Sequence, residues 1–222
     1  MKAYKTTHQG NPNIGLFIFA NDKICIASKN FREDQLEEIE KTLQVPLYTL
    51  PIAGTDLLGL FLAGNNKGII APSLMFDYEK EKLKEICAKH KINLAFLNTE
   101  LTALGNNLVC NDNGCMGNHE FEKNIKEQIE GVIEVKVRNG KIADLEIVGS
   151  LSLTTNKGCL ISEDALDEEI EELETLLKCK VVRGTINSTP HIRSGLVANS
   201  NGFVLSESSL GEEVLHITEA FE

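Results

Sequence analysis

The sequence predicts an α/β protein made of five copies of one unit (strand, hairpin, strand, helix, strand) closed into a ring. Three observations predict it: a polar step that recurs at near-constant spacing, a helix-period segment after each step, and an apolar extended segment after four of the helices. Self-similarity at a fixed period marks a repeat architecture, in which each unit buries its apolar face against its neighbours.

The polar step reads Asn65-Asn66-Lys67-Gly68, Asn111-Asp112-Asn113-Gly114, Thr155-Asn156-Lys157-Gly158 and Asn199-Ser200-Asn201-Gly202, and its glycines are separated by 46, 44 and 44 residues. One step earlier stands Asn21-Asp22-Lys23-Ile24, with Lys23 at the glycine position 45 residues before Gly68, which makes five units. Apolar runs such as Leu57 to Ala63 and Ile69 to Ala71 flank the step. That is the pattern of a tight β-hairpin whose turn glycine supplies positive φ. Lys23 then implies a longer or differently shaped turn in the first unit.

Helical periodicity follows over Arg32 to Leu43, Asp77 to His90, His119 to Glu130, Glu163 to Leu177 and, more weakly, Glu207 to Phe221. Extended apolar segments come next at Val45 to Ile52, Ile92 to Leu97, Ile133 to Val137 and Lys180 to Ile186. The fifth unit reaches Glu222 without its last strand, whereas Lys2 to Thr7 is strand-like and belongs to no unit. Pairing that segment into the last unit would close the ring and remove both open edges. The expected organisation is one domain, 1–222, with repeats near 11–54, 55–101, 102–147, 148–190 and 191–222, closed by a strand within 1–8.

Lys and Arg number 22 against 33 for Asp and Glu, a net charge of −11. This is the wrong sign for a protein held mainly by phosphate contacts, so a basic protein is the better partner and little direct nucleic-acid binding is expected. The acidic run from Glu163 to Glu174 is the outer face of an amphipathic helix. There is neither a signal peptide nor an apolar run long enough to span a bilayer, so a cytoplasmic location without membrane contact is expected. Six cysteines, at 25, 87, 110, 115, 159 and 179, show no CxxC pair or zinc spacing. They read as reduced, buried small hydrophobes.

No chemical motif survives inspection. Gly54-Thr55-Asp56-Leu57-Leu58-Gly59 has P-loop glycine spacing but continues with Leu60-Phe61 where Lys and Ser/Thr are required. Asn111-Asp112-Asn113-Gly114 is part of a calcium-loop pattern, yet the first-ligand position falls on Val109. The histidines at 8, 90, 119, 191 and 216 are not spaced to put a base beside a nucleophile, and His191 reads as a loop residue. No catalytic residue, cofactor or metal is expected.

A more specific signal lies in Gly59 with Asn65-Asn66-Lys67-Gly68-Ile69-Ile70-Ala71-Pro72, Leu101-Thr102-Ala103-Leu104-Gly105-Asn106 before Cys110-Asn111-Asp112, Val148-Gly149-Ser150, and Gly184-Thr185-Ile186-Asn187. Together these resemble the archaeal and eukaryotic translation initiation factor 6 family over essentially the whole chain. Departures occur at Ser162-Glu163 and Asn118-His119, where many members have His-Pro, and over Glu207 to Glu213. The chain also lacks the C-terminal tail of eukaryotic members, as the archaeal type does.

The resemblance implies a pentein, a five-fold pseudosymmetric α/β propeller. It also implies a monomeric, non-enzymatic factor that binds the intersubunit face of the large ribosomal subunit, mainly through ribosomal proteins near the sarcin-ricin loop. There it would block premature joining and take part in subunit biogenesis. The ribosome-binding residues expected are Asn106, Gly105, Leu60, Leu151, Ile192 and Ile14, from the loop-to-strand points Ile14-Gly15, Gly59-Leu60, Gly105-Asn106, Ser150-Leu151 and Ile192 to Gly195 that a ring would bring to one side. For Asn106 a turn-capping role is the alternative. Two other functions compete: a pentein scaffold for another protein, and a guanidine-modifying enzyme, which would need a nucleophilic cysteine beyond Cys179 that the chain lacks.

Overall fold

The computed structural model describes all 222 residues. β1 (Lys2–Thr6) leads into a first repeat of a 3-10 turn (Ile14–Phe17), β2 (Ile18–Ala20), β3 (Cys25–Ala27), α1 (Glu33–Leu43) and β4 (Leu47–Thr49). The second repeat is α2 (Leu58–Phe61), β5 (Ala63–Gly64), β6 (Gly68–Pro72), α3 (Asp77–Lys89) and β7 (Asn93–Leu97). The third is α4 (Leu104–Asn107), β8 (Leu108–Cys110), β9 (Cys115–Gly117), α5 (Lys123–Ile133) and β10 (Val137–Asn139). The fourth, whose first helical turn is reduced to a hydrogen-bonded turn at 148–150, comprises β11 (Ser152–Thr154), β12 (Gly158–Ser162), α6 (Asp167–Leu177) and β13 (Lys180–Gly184). The fifth is α7 (Ile192–Gly195), β14 (Leu196–Ala198), β15 (Gly202–Ser206) and α8 (Gly211–Phe221).

In the first four repeats an antiparallel hairpin gains a third strand, parallel to the second, after the helix crosses over. No strand follows α8. β1 takes the vacant place, parallel to β15 from Lys2↔Gly202 to Thr6↔Ser206, so five three-stranded sheets result. The apolar interior is divided in the same way. Each core cluster joins one blade to the next, as where Ile24, Ile26 and Leu50 meet Leu62, Ile69 and Ile86.

Helix boundaries show which local chemistry overrides periodicity. The third, fourth and fifth helices begin at Lys123, Asp167 and Gly211, later than the periodicity at His119, Glu163 and Glu207 suggests. The Glu169 and Glu213 carboxylates accept the backbone N–H groups of Leu166 and Leu210, fixing the caps there. The extended segment expected from Ile133 starts only at Val137. Ile133 is the last residue of α5, and Glu134 caps it with φ 57°.

The hairpin turns contain no positive φ at their glycines, contrary to the expectation from sequence. One side-chain oxygen shapes each turn instead: Asn65 Oδ1 accepts Lys67 N (3.0 Å) and Gly68 N (3.1 Å). Glycine is needed for close approach. A Cβ on Gly68, Gly114, Gly158 or Gly202 would overlap the backbone carbonyl of Val132, Leu176, Ala220 or Thr42, at the end of a helix in another blade. In the first repeat Asn21 Oδ1 accepts Lys23 N and Ile24 N, both at 2.9 Å, so Ile24 and not Lys23 holds the glycine position. Room for its side chain accompanies a different helix end: α3 has 13 residues, against 11 in α1, α5, α6 and α8.

The cysteines differ from expectation at one pair. Cys110 and Cys115 lie opposite each other across β8 and β9 and are joined as a disulfide. The hairpin register brings their Cα atoms to 4.2 Å, the spacing of a non-hydrogen-bonded antiparallel pair. The other four are free, and all but the half-buried Cys179 are buried.

Candidate functional site

The five repeats meet along an axis whose two ends differ in chemistry. At one end the hairpin turns interlock. Asn21 Nδ2 donates to Asn65 O (2.9 Å), Asn65 to Asn111 O (3.0 Å), Asn111 to Thr155 O (3.2 Å) and Asn199 to Asn21 O (3.1 Å). A second ring lies beside the first: Asp22 and Asp112 accept from Asn66 and Asn156, and Asp22 also accepts from Ser200. Nearly every polar atom there has a partner within the protein, and the void left between them is about 30 Å³, enough for water alone.

At the opposite end the short turns before each hairpin pack tightly. A Cβ on Gly59 would overlap Gly15 O, one on Gly105 would overlap Gly59 O, and one on Gly149 would overlap Gly105 O. The fifth position of this ring is Arg193, 44 residues beyond Gly149. The backbone agrees: Gly149 N donates to Asn106 O (2.9 Å), and Arg193 N to Ser150 O (3.2 Å). After these five residues come Leu16, Leu60, Asn106, Ser150 and Ser194, each half-buried at the rim of the axis.

The residues expected from sequence separate into two sets. Asn106 and Leu60 present half-buried side chains on this face. Gly105 contributes its Cα to the glycine packing, which leaves no room for a side chain. Ile14, Leu151 and Ile192 correct the expectation: at 0%, 1% and 0% exposure they support the face from beneath and cannot reach a partner. They carry the apolar half of a short turn whose following residues face outward, a distinction that strand alternation alone does not reveal. Sequence reading missed Leu16, and it covered Arg193 and Ser194 only as part of the stretch from Ile192 to Gly195 without singling them out, which aligning the glycines at this end of the repeats would have done.

Asn106 does not cap its own turn. That work falls to Asn107, whose Nδ2 donates to Ala103 O at 2.9 Å and whose Oδ1 accepts from Asn118. The Asn106 carbonyl receives Gly149 N and Ser150 N, while its side-chain amide has no partner in the protein. Close by, Ser150 Oγ and His191 Nδ1 lie 3.1 Å apart. Arg193 Nε donates to Gly149 O at 3.0 Å, and burial lowers the guanidinium pKa to about 10, so it remains charged at neutral pH.

The cysteines are not arranged for nucleophilic chemistry. Burial raises the thiols of Cys25, Cys159 and Cys179, and takes Cys87 up to about 12, the reverse of an activated thiolate.

This architecture, five sheet-and-helix blades about one axis, defines the molecule as a pentein. A solved dimethylarginine dimethylaminohydrolase, as its adduct with S-methyl-L-thiocitrulline, shares the fold with TM-score 0.53 at 13% identity, over 82% of this chain and 71% of that one. The eIF-6 family model matches residues 3–220, and the chain belongs to that family. It is similar to the translation initiation factor 6 of Staphylothermus marinus, 37% identical over 146 residues. That of Saccharolobus solfataricus is 38% identical over 150 residues, and that of Pyrococcus furiosus 34% over 152. The matched stretches cover 66%, 66% and 68% of this chain and 64%, 65% and 67% of those relatives.

Proposed function

We propose that this protein binds the intersubunit face of the large ribosomal subunit as a monomer, prevents premature joining of the small subunit, and accompanies large-subunit maturation. The observation that carries the reading is the glycine-ring face. It is a rigid platform around the axis with a free Asn106 amide and half-buried Leu16 and Leu60 at its rim. A platform of this kind acts by occupancy and needs no reaction. The contacts are mainly with ribosomal proteins near the sarcin-ricin loop, where a net charge of −11 steers the factor toward basic protein and away from nonspecific RNA. The working location is the cytoplasm; no helix is long and apolar enough to cross a membrane.

The deciding experiment sediments large subunits with the pure protein and then adds small subunits. Co-sedimentation with suppressed joining is the expected result. Absence from the pellet with subunits of a matched source would abandon the reading in favour of a scaffold for another protein.

A further inference from the structure

Four of the five repeats carry glycine at the inner ring of the platform, and the fifth carries Arg193. Arg193 is half-buried, and only its Nε is used internally; the two terminal nitrogens have neither a hydrogen-bond acceptor nor a carboxylate partner and reach the surface, since no buried side-chain nitrogen is left without a partner. They face a recess of about 290 Å³ to which four repeats contribute, with Asn13, Asn106, Ser150, His191 and Ser194 around it. No Asp or Glu lines this recess, although the chain has 33 of them. A partly desolvated cation kept clear of carboxylates in so acidic a chain is prepared for an anion that comes from outside.

We propose that the recess seats a single phosphate of the large-subunit RNA backbone; the source of that phosphate rests on reading this face as the ribosome-facing one. The arginine fork alone would satisfy the two oxygens of a carboxylate. The recess offers more: the free Asn106 amide lines it, and so does the Ser150 hydroxyl, which is left free to donate when His191 Nδ1 donates to it, whereas the Ser194 hydroxyl is spent on His191 O at 2.7 Å; donors from more than one repeat suit a group presenting oxygens in several directions. In an acidic chain one phosphate contact contributes register more than affinity, because it fixes where the platform sits on its target.

Arg193→Gly is the informative variant, since the other repeats show that glycine is compatible with the ring. Titrating the labelled protein with inorganic phosphate, against acetate at equal ionic strength, should shift the Asn106 side-chain and Ser194 backbone amide signals with phosphate only, and not in Arg193→Gly. Equal shifts with acetate would overturn the proposal and assign the recess to a protein carboxylate; shifts that survive in the variant, or none at all, would overturn it too. With large subunits, the slope of log affinity against log salt should be shallower by about 0.7–0.9 in the variant, and an unchanged slope would count against an RNA phosphate. Failure of the wild type to bind subunits would overturn the ribosomal reading and with it the RNA source, while the phosphate titration would still decide the anion site.

Discussion

The two ends of the axis are built from the same five repeats and have opposite chemistry. At the hairpin end, amides and carboxylates satisfy one another around a void of about 30 Å³. At the glycine end, backbone packs against backbone, and two side chains at the recess, Asn106 and Arg193, keep donors unspent. A buried polar ring stabilises only when its members are paired, so pairing identifies the first end as structural. Unpaired donors on a rigid support are the reason the second is proposed as the end that meets a partner.

Changes to the shared scaffold should disturb both ends most. Deleting Met1 to Thr7 removes the third strand of the fifth sheet and exposes the β15 edge. At about 1 kcal/mol per ladder bond and about 2–4 °C per kcal/mol, the melting temperature should fall by about 10 °C or more; an unchanged value would mean that β1 does not hold the ring. Gly59→Ala places a methyl group against the Gly15 carbonyl and should cost about 3 kcal/mol, read as a lower denaturant midpoint. If it proved neutral, the glycine ring would be less tightly closed than described.

The hairpin end can be probed more gently. Asn65→Ala strands the carbonyls of Asn111 and Ile133 and the N–H groups of Lys67 and Gly68, a loss of about 2–3 kcal/mol by chemical denaturation. Asn65→Thr should lose less, because Thr155 already performs the turn half of this role with its hydroxyl. Equal losses would show that the bridge between blades, not the turn, is what Asn65 provides. The smallest stability effect, within about 0.5 kcal/mol, is expected for Asn106→Ala. Its subunit affinity should nevertheless drop about ten-fold, roughly 1.4 kcal/mol; a stability loss without an affinity loss would reverse the assignment of the two ends.

The repeat was legible because the polar step must interlock with its neighbours, which holds Asn65, Asn111 and Asn199 to one residue type at one spacing. The helices were legible from apolar periodicity, as with Ile125, Ile129 and Ile133. What escaped reading was set between repeats. Gly68 looks like a turn glycine, but the constraint on it comes from the Val132 carbonyl, 64 residues away along the chain. Ile24 hid its equivalence because the compensation lies at the far end of α3. At the glycine-ring face, inward Ile14 and outward Leu16 are both apolar, and only the packing of the short turn tells them apart.

The pairing of β1 with β15 also bears on how the molecule comes into being. Among the fifteen strands the first in chain order pairs with the last, so β1 stays unpaired until Gly202–Ser206 has been synthesised. Earlier blades can gather pairwise as they emerge, but the closing contact brings Lys2 to Gly202 and carries the largest loop-closure entropy among the strand pairings. Ring closure therefore waits on β15, and until it happens the nascent protein keeps an exposed sheet edge that has to be protected from other chains.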